Sequence, residues 1–372
     1  MDFSCQQETA LELVEYWLQS DRQVFRLFGY AGTGKTTLAR YLKADFYAAY
    51  TGKAAHVLIQ KGCPATTIHS LIYQPKDKST ARLQWLLEQI PKTPEAEKLA
   101  ALYREISRER ENVKKPSFTL NLDSPLRGAR LLVIDECSMV DEQIGRDLES
   151  FGCRILVLGD PAQLPPVFGG GYFTAVTPDM LLTEVHRQAR DNPVLDLATT
   201  VRETGRLPAQ HPLMLASLSP QDALGVDQII VGRNRTRHAI NRRMRELLDF
   251  TEDFPMIGEK VVCTRNNHQL GILNGATYEV TGTSHGWLEL DGQLEVEVHP
   301  EPFVGVEVDH WKLRDAEMFE YGYALTCHKA QGSQWDRVGV IDQSADFAPN
   351  NARWLYTAIT RAAKGLWVTK GN

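Results

Sequence analysis

No stretch of this chain stays apolar for long enough to cross a bilayer. The N-terminus, Met1-Asp2-Phe3-Ser4, has no basic segment running into an apolar core, so neither a membrane span nor a secretory leader is expected. Cysteine is sparse. Cys5, Cys63, Cys137, Cys153, Cys263 and Cys327 are scattered, with no C-x-x-C pair among them. That argues against a disulfide framework or a zinc site and for a reducing, cytoplasmic setting. Positive charge is in deficit too. The 41 Lys and Arg against 47 Asp and Glu leave a formal net charge of −6. This argues mildly against non-specific nucleic-acid binding by the whole surface, and leaves room for a local basic groove. The remaining composition, 43% hydrophobic and 24% charged over 372 residues, is that of a soluble globular protein with more than one core.

The stretch that organises the rest is Phe25-Arg26-Leu27-Phe28-Gly29-Tyr30-Ala31-Gly32-Thr33-Gly34-Lys35-Thr36-Thr37. It reads as an apolar strand, a glycine-rich turn and the start of a helix. Gly29, Gly34, Lys35 and Thr36 fit G-x-x-x-x-G-K-[ST], the phosphate-binding loop. The glycines let backbone N–H groups curl around phosphate oxygens. Lys35 can reach the β- and γ-phosphates, Thr36 can hold Mg²⁺, and the helix directs its positive end at the anion. Upstream, Ala10, Leu11, Val14, Trp17 and Leu18 recur at helical spacing, with Ser4 and Gln7 placed as a capping box. Gln7 has two readings, a cap alone or an amide that pairs with an adenine edge.

Further acids follow buried strands. Leu131-Leu132-Val133-Ile134 delivers Asp135 and Glu136, a metal ligand and a base for the attacking water. Ile155-Leu156-Val157-Leu158 leads to Gly159-Asp160-Pro161-Ala162-Gln163-Leu164-Pro165-Pro166, whose Gln163 can sense a γ-phosphate. Phe46–Tyr50 reads as another strand, ending at Thr51-Gly52-Lys53, which repeats a doubly wound α/β pattern. Thr66, Thr67 and His69 carry groups that can touch phosphates, although His69 by itself reads first as a structural histidine. Residues 75–117 read as two charged amphipathic helices with a basic end at Arg104, Arg108, Arg110, Lys114 and Lys115, by default a solvated face. Gly169-Gly170-Gly171 marks a domain boundary, and Arg187 follows a short strand.

The run Arg233–Arg245 holds six arginines and no acid over an apolar helical stripe. It fits either a phosphodiester contact or a solubilising face. Trp287–Val298 alternates about Asp291-Gly292, a hairpin signal, within an all-β stretch over 258–311. The C-terminal segment returns to α/β, with a polar loop at Thr326-Cys327-His328-Lys329-Ala330-Gln331-Gly332 and a helix ending near Arg361.

In this order, GYAGTGKTT, VIDECSMV, LGDPAQLPPV, LTEVHRQ, LTCHKAQGSQWDRV and LYTAITRA resemble the superfamily 1 DNA helicases of the RecD/Dda kind over nearly the whole chain. The resemblance implies an α/β fold of two RecA-like P-loop NTPase domains with ATP and Mg²⁺ between them. Residues 1–74 and 118–174 would form the first and residues 175–257 and 321–372 the second. Residues 75–117 would be a helical, basic insert where relatives carry a duplex-splitting hairpin, with Phe118 a guess at the wedge. Residues 258–320 would be a small β-barrel.

It also implies residue roles. Gln7 would read adenine, while Gly32, Thr33, Gly34, Lys35, Thr36, Thr37 and Gly332 would hold the nucleotide. Asp135 with Thr36 would bind the metal, Glu136 would be the base, Gln163 the sensor, and Arg187 and Arg361 arginine fingers. Thr51, Lys53, Thr67, His69, Pro165, Arg235, Thr326 and His328 would lie on the DNA side. The activity implied is ATP-driven 5′→3′ movement on single strands with duplex unwinding. The partners would be single-stranded and forked DNA and replication or recombination proteins, with no membrane. Two rivals stay open: a translocase that displaces proteins without opening duplexes, and a nucleotide-switched binding module.

Overall fold

The computed structural model describes residues 3–75, 81–92, 96–114, 118–165, 171–184, 192–267, 270–306, 308 and 316–371. Its first half runs α1 (Cys5–Leu18), β1 (Val24–Gly29), α2 (Lys35–Tyr41), β2 (Phe46–Ala49), α3 (Gly52–Gln60), β3 (Ala65–Thr67), α4 (Ile68–Ile72), β4 (Tyr73–Pro75), α5 (Ala81–Gln89), α6 (Ala96–Lys114), β5 (Phe118–Leu120), β6 (Leu131–Asp135), α7 (Glu142–Glu149), β7 (Arg154–Gly159) and β8 (Met180–Leu182). Six of these strands form one all-parallel sheet in the order β3-β2-β6-β7-β1-β8.

The apolar runs of β6 and β7 have no outward polar face because helices cover both sides. Leu131, Val133, Leu156 and Leu158 pack with α1, α2 and α3. Leu132, Ile134, Ile155 and Val157 pack with α4 and α7. All strands being parallel, the phosphate loop, Thr51, Asp135 and Asp160 emerge at one edge, the carboxyl ends, where open α/β sheets bind ligands. Met180–Leu182 pairs with Leu27–Gly29, so the first sheet takes in a strand beyond Gly169-Gly170-Gly171, the boundary expected from composition, and beyond residue 174, the bound the resemblance implies.

The insert over 75–117 is helical as expected, with Leu86 and Ile106 buried. Its root is a short antiparallel pair, β4 with β5, that the sequence did not announce. The Tyr73 hydroxyl ties this stem to α7 by donating to Asp147 at 2.5 Å. Phe118 sits on the stem, exposed. Arg104 and Arg108 face solvent, while the Arg110, Lys114 and Lys115 side chains lie outside the described residues.

The second half runs α8 (Pro193–Thr204), β9 (Met214–Leu215), α9 (Pro220–Leu224), β10 (Gln228–Val231), α10 (Asn234–Leu247), β11 (Lys260–Cys263), β12 (Thr277–Ser284), β13 (Trp287–Leu290), β14 (Leu294–Glu297), β15 (Phe319–Tyr321), β16 (Ala324–Thr326), β17 (Trp335–Asp342), α11 (Asn351–Ile359) and β18 (Ala362–Lys370). A second all-parallel sheet has the order β16-β10-β17-β18-β9. The expected hairpin turns through Asp291 and Gly292, both at positive φ, +51° and +67°.

The barrel expected over 258–320 is not closed. Its strands make an antiparallel sheet ordered β14-β13-β12-β11-β15. Among the described residues only one isolated bridge, Val298 to Glu317, relates its two ends. Closure needs a continuous staggered ladder, and these short end strands do not supply one.

The arginine run is α10, and neither reading of it holds throughout. Arg237 is buried against Glu320. Arg245 donates to the fully buried Glu259 at 2.7 Å and lies 4.1 Å over the Tyr321 ring. These two arginines anchor the antiparallel sheet to α10, while Arg235 and Arg242 remain exposed. Removing one member of a buried pair leaves an uncompensated charge. Arg245→Met is therefore expected to cost about 3–5 kcal/mol, and Arg245→Met with Glu259→Met to restore most of that, as read from urea unfolding.

Candidate active site

The phosphate loop leaves β1 and turns through Gly32 and Gly34 at φ +77° and +81°. L side chains rarely adopt that region, so glycine is required at both positions. Gly34 occupies the N-cap of α2 without a side-chain cap, leaving the helix start open to an anion. Lys35 folds along the loop, its Nζ donating to the Gly29 carbonyl at 2.5 Å and the Tyr30 carbonyl at 3.0 Å. Thr33 is buried, with its hydroxyl on the Tyr30 carbonyl at 2.8 Å. Gln7 caps α1, accepting from the Ser4 N–H at 3.0 Å, and also donates to the Thr33 carbonyl at 3.1 Å. Its amide therefore joins the helix cap to the loop, beside Phe3, Ser4 and Cys5 on the cleft wall.

A cleft of about 1140 Å³ opens in front of this loop. Thr36, Thr37, Asp135, Glu136 and Gln163 line it with Lys35. The Thr36 hydroxyl donates to Asp135 Oδ2 at 3.3 Å, and the Glu136 N–H to Asp135 Oδ1 at 2.9 Å. Burial and the adjacent Glu136 carboxylate push the Asp135 carboxyl up, and Lys35 opposes them. Glu136 holds φ +53°, ψ +45°, a strained conformation for a residue with a Cβ, immediately past the end of β6. Gln163 lines the cleft, and its Oε1 is buried with no hydrogen-bond partner among the described residues. Among the described residues no three His, Cys, Asp or Glu side chains gather as a metal cage. The donor set fits Mg²⁺, which uses one or two carboxylates with a hydroxyl and phosphate oxygens.

The second sheet supplies the opposite wall. Arg361 follows α11, is buried, and faces the same cleft as Lys35. Its Nε donates to the Thr357 carbonyl at 3.1 Å, Nη1 to the Ser333 carbonyl at 3.1 Å and Nη2 to Thr360 Oγ1 at 3.4 Å. Among the described residues three of its five N–H donors are engaged, and two remain. Gly332, at φ +72°, lines the cleft so close to α3 that a Cβ there would lie 3.0 Å from Thr51 Oγ1. Arg187 lies outside the described residues.

Several contacts across the cleft come from residues without a role in the sequence reading. The Thr357 hydroxyl accepts the Leu164 N–H at 2.8 Å, and Gln331 Nε2 donates to the Leu164 carbonyl at 2.9 Å. The Tyr356 hydroxyl accepts the Ala31 N–H at 2.8 Å and donates to Asp160 at 2.7 Å. Burial and the Asp160 charge push the Tyr356 phenol far above its ordinary range, so it stays a neutral donor. The Arg202 guanidinium lies 3.8 Å over the Tyr30 ring. The available signal was position alone: all but Arg202 fall inside the recognised motifs.

Most residues expected on the nucleic-acid side hold local structure. Thr51 and Thr67 cap α3 and α4 through their hydroxyls. His69 packs between Tyr50 and Tyr73, and burial lowers its pKa. Thr326 is buried and accepts from the Lys329 N–H at 3.4 Å. His328 packs on Phe347, with its pKa also lowered by burial. Pro165 is half-buried and Arg235 exposed. Lys53 crosses to the second half, donating to the Gly275 carbonyl at 3.3 Å with its Nζ 4.3 Å from the Trp335 ring centroid. Burial, then Lys260 and Arg361, lower its pKa to about 8.

The family described as "AAA domain" matches residues 5–212, and "UvrD-like helicase C-terminal domain" matches residues 321–369. The ATP-dependent RecD2 DNA helicase of Deinococcus radiodurans is 29% identical over 265 residues, covering 62% of this chain and 35% of that protein. The ATP-dependent DNA helicase dda of Enterobacteria phage T4 is 26% identical over 205 residues, covering 53% of this chain and 42% of that protein. The chain thus spans about a third of the first relative's length and less than half of the second's. A structure of Pif1 helicase from Bacteroides, in complex with ADP-AlF3 and ssDNA, matches 99% of this chain and 92% of its own with a TM-score of 0.56 at 19% identity. That likeness establishes the fold. With the first match running over more than half of its length, the chain belongs to the AAA domain family, in keeping with its motif-by-motif resemblance to superfamily 1 helicases of the RecD/Dda kind.

Proposed function

We propose that this chain is an ATP-dependent DNA helicase, coupling ATP hydrolysis between two RecA-like lobes to 5′→3′ movement on single-stranded DNA and duplex opening. The observation that carries the reading is that Lys35 and Arg361, from different sheets, line one cleft. In this reading the lobes are the two parallel sheets with their helices. The helical insert and the open antiparallel sheet are accessories to them, and forked DNA is the substrate. Gly32, Gly34, Lys35 and Gly332 would hold the triphosphate, and Thr36 with Asp135 would hold Mg²⁺. ATP with Mg²⁺ would supply the phosphoryl group and the charge that polarises it.

The rest of the chemistry belongs to the chain. Glu136, just past the end of its strand, accepts a proton from the attacking water. Gln163 Oε1 orients that water or a neighbouring donor, which accounts for an acceptor kept buried without a partner. Arg361 directs its two remaining N–H groups at charge that develops on the transferring phosphoryl. Since Arg361 rides on the second sheet, hydrolysis depends on closure. Thr51, Thr67 and Thr326 fix loop backbone along the DNA side, and Lys53 and Arg235 supply charge there.

The test is ATP turnover with and without single-stranded DNA, alongside unwinding of forks with 5′ or 3′ tails. DNA-stimulated turnover with preference for a 5′ tail is expected; movement without unwinding would favour the protein-displacing translocase. Lys35→Ala is expected to abolish stimulated turnover, and near-normal rates in that variant would contradict the assignment. Arg361→Ala is expected to keep nucleotide affinity within about threefold while kcat falls roughly a hundredfold or more. Gln163→Leu removes the orphan acceptor; it is expected to raise stability by about 1 kcal/mol in urea unfolding while slowing hydrolysis.

A further inference from the structure

Tyr356 is 2% exposed and belongs to α11 on the second sheet, yet both hydrogen bonds of its hydroxyl reach the first. A backbone N–H only donates, so the Ala31 contact at 2.8 Å uses a hydroxyl lone pair and leaves the proton for Asp160 Oδ2 at 2.7 Å. The donor direction is fixed at both ends. Asp160 shapes the turn that bears Gln163: its Oδ1 accepts the Ala162 N–H at 3.0 Å and its carbonyl the Gln163 N–H at 3.2 Å. One residue before Ala31, the Tyr30 ring is covered by Arg202 of α8, which packs with α11 in the second sheet's helical layer. Two successive residues of the phosphate loop are thus gripped from the lobe that carries Arg361.

We propose that the Tyr356 hydroxyl is a positioning group for nucleotide hydrolysis, tying the phosphate loop at Ala31 to the Gln163 turn through Asp160 and fixing their spacing when the lobes meet. This rests on the ATP-hydrolysing reading above. The hydroxyl touches no substrate and acts through Asp160. Losing it leaves the cradle for the triphosphate in place while loosening the groups that act on the transition state, so the effect falls on kcat.

The experiment uses the full chain and measures DNA-stimulated ATP turnover for wild type, Tyr356→Phe, Asp160→Asn and the double variant, with melting temperatures throughout. Tyr356→Phe keeps the ring and its packing. It is expected to lower kcat roughly tenfold with KM for ATP within about twofold, and to lower the melting temperature by no more than a few degrees, the cost of the two hydrogen bonds it leaves unmade. The double variant is expected to be no slower than the slower single, since the two groups act as one unit. Hydrogen exchange at the Ala31 amide is expected to accelerate in Tyr356→Phe. A kcat within twofold of wild type, losses that multiply in the double variant, or unchanged Ala31 exchange would overturn the role. A wild-type chain without ATP turnover removes the hydrolysing reading and this role together; an active wild type with an equally active Tyr356→Phe removes this role alone.

Discussion

The cleft depends on a buried polar seam between two parallel sheets. Leu164 is nearly inaccessible, and its N–H and carbonyl both find partners on the second sheet's helix and loop, Thr357 and Gln331. Each such bond adds on the order of 1 kcal/mol net, but leaving one unmade inside protein costs about 1–3 kcal/mol. The seam therefore fixes one relative placement of the sheets rather than merely adhering them. Arg361 inherits that placement through the Thr357 carbonyl. A guanidinium on one sheet and a phosphate loop on the other come to face the same space for a reason that lies outside both.

Charge is handled on the same principle. The chain is acidic overall, and its most arginine-dense helix uses two of its cations internally, against Glu320 and the fully buried Glu259. A desolvated carboxylate would be costly unless a planar, always-charged donor met it, so these arginines are architectural. The same economy explains the threonines at the carboxyl ends of the first sheet. Their hydroxyls close helix starts.

Legibility followed the range of the interaction. The runs at Leu131–Ile134 and Ile155–Leu158 announced buried parallel strands, and Asp291-Gly292 announced a hairpin, because period, length and turn chemistry are local. The phosphate loop was equally plain, since its glycines answer a backbone requirement written within a few residues. The open form of the antiparallel sheet was not, because closure is a property of how its first and last strands meet. Nor was the place of Met180–Leu182, three residues whose membership in the first sheet is decided by β1.

By itself the sequence determined the strands, the phosphate-binding turn, the acids at the strand tips and the order of motifs, since each rests on neighbours a few positions apart. Only the tertiary structure decided that Tyr356 meets Ala31 and Asp160, that Gln163 on the cleft wall keeps a buried acceptor without a partner among the described residues, and that Arg237 and Arg245 face inward. Those outcomes are set by desolvation and by partners separated by as many as 325 positions along the chain. A buried polar group is defined by what surrounds it, and no window of sequence contains its surroundings.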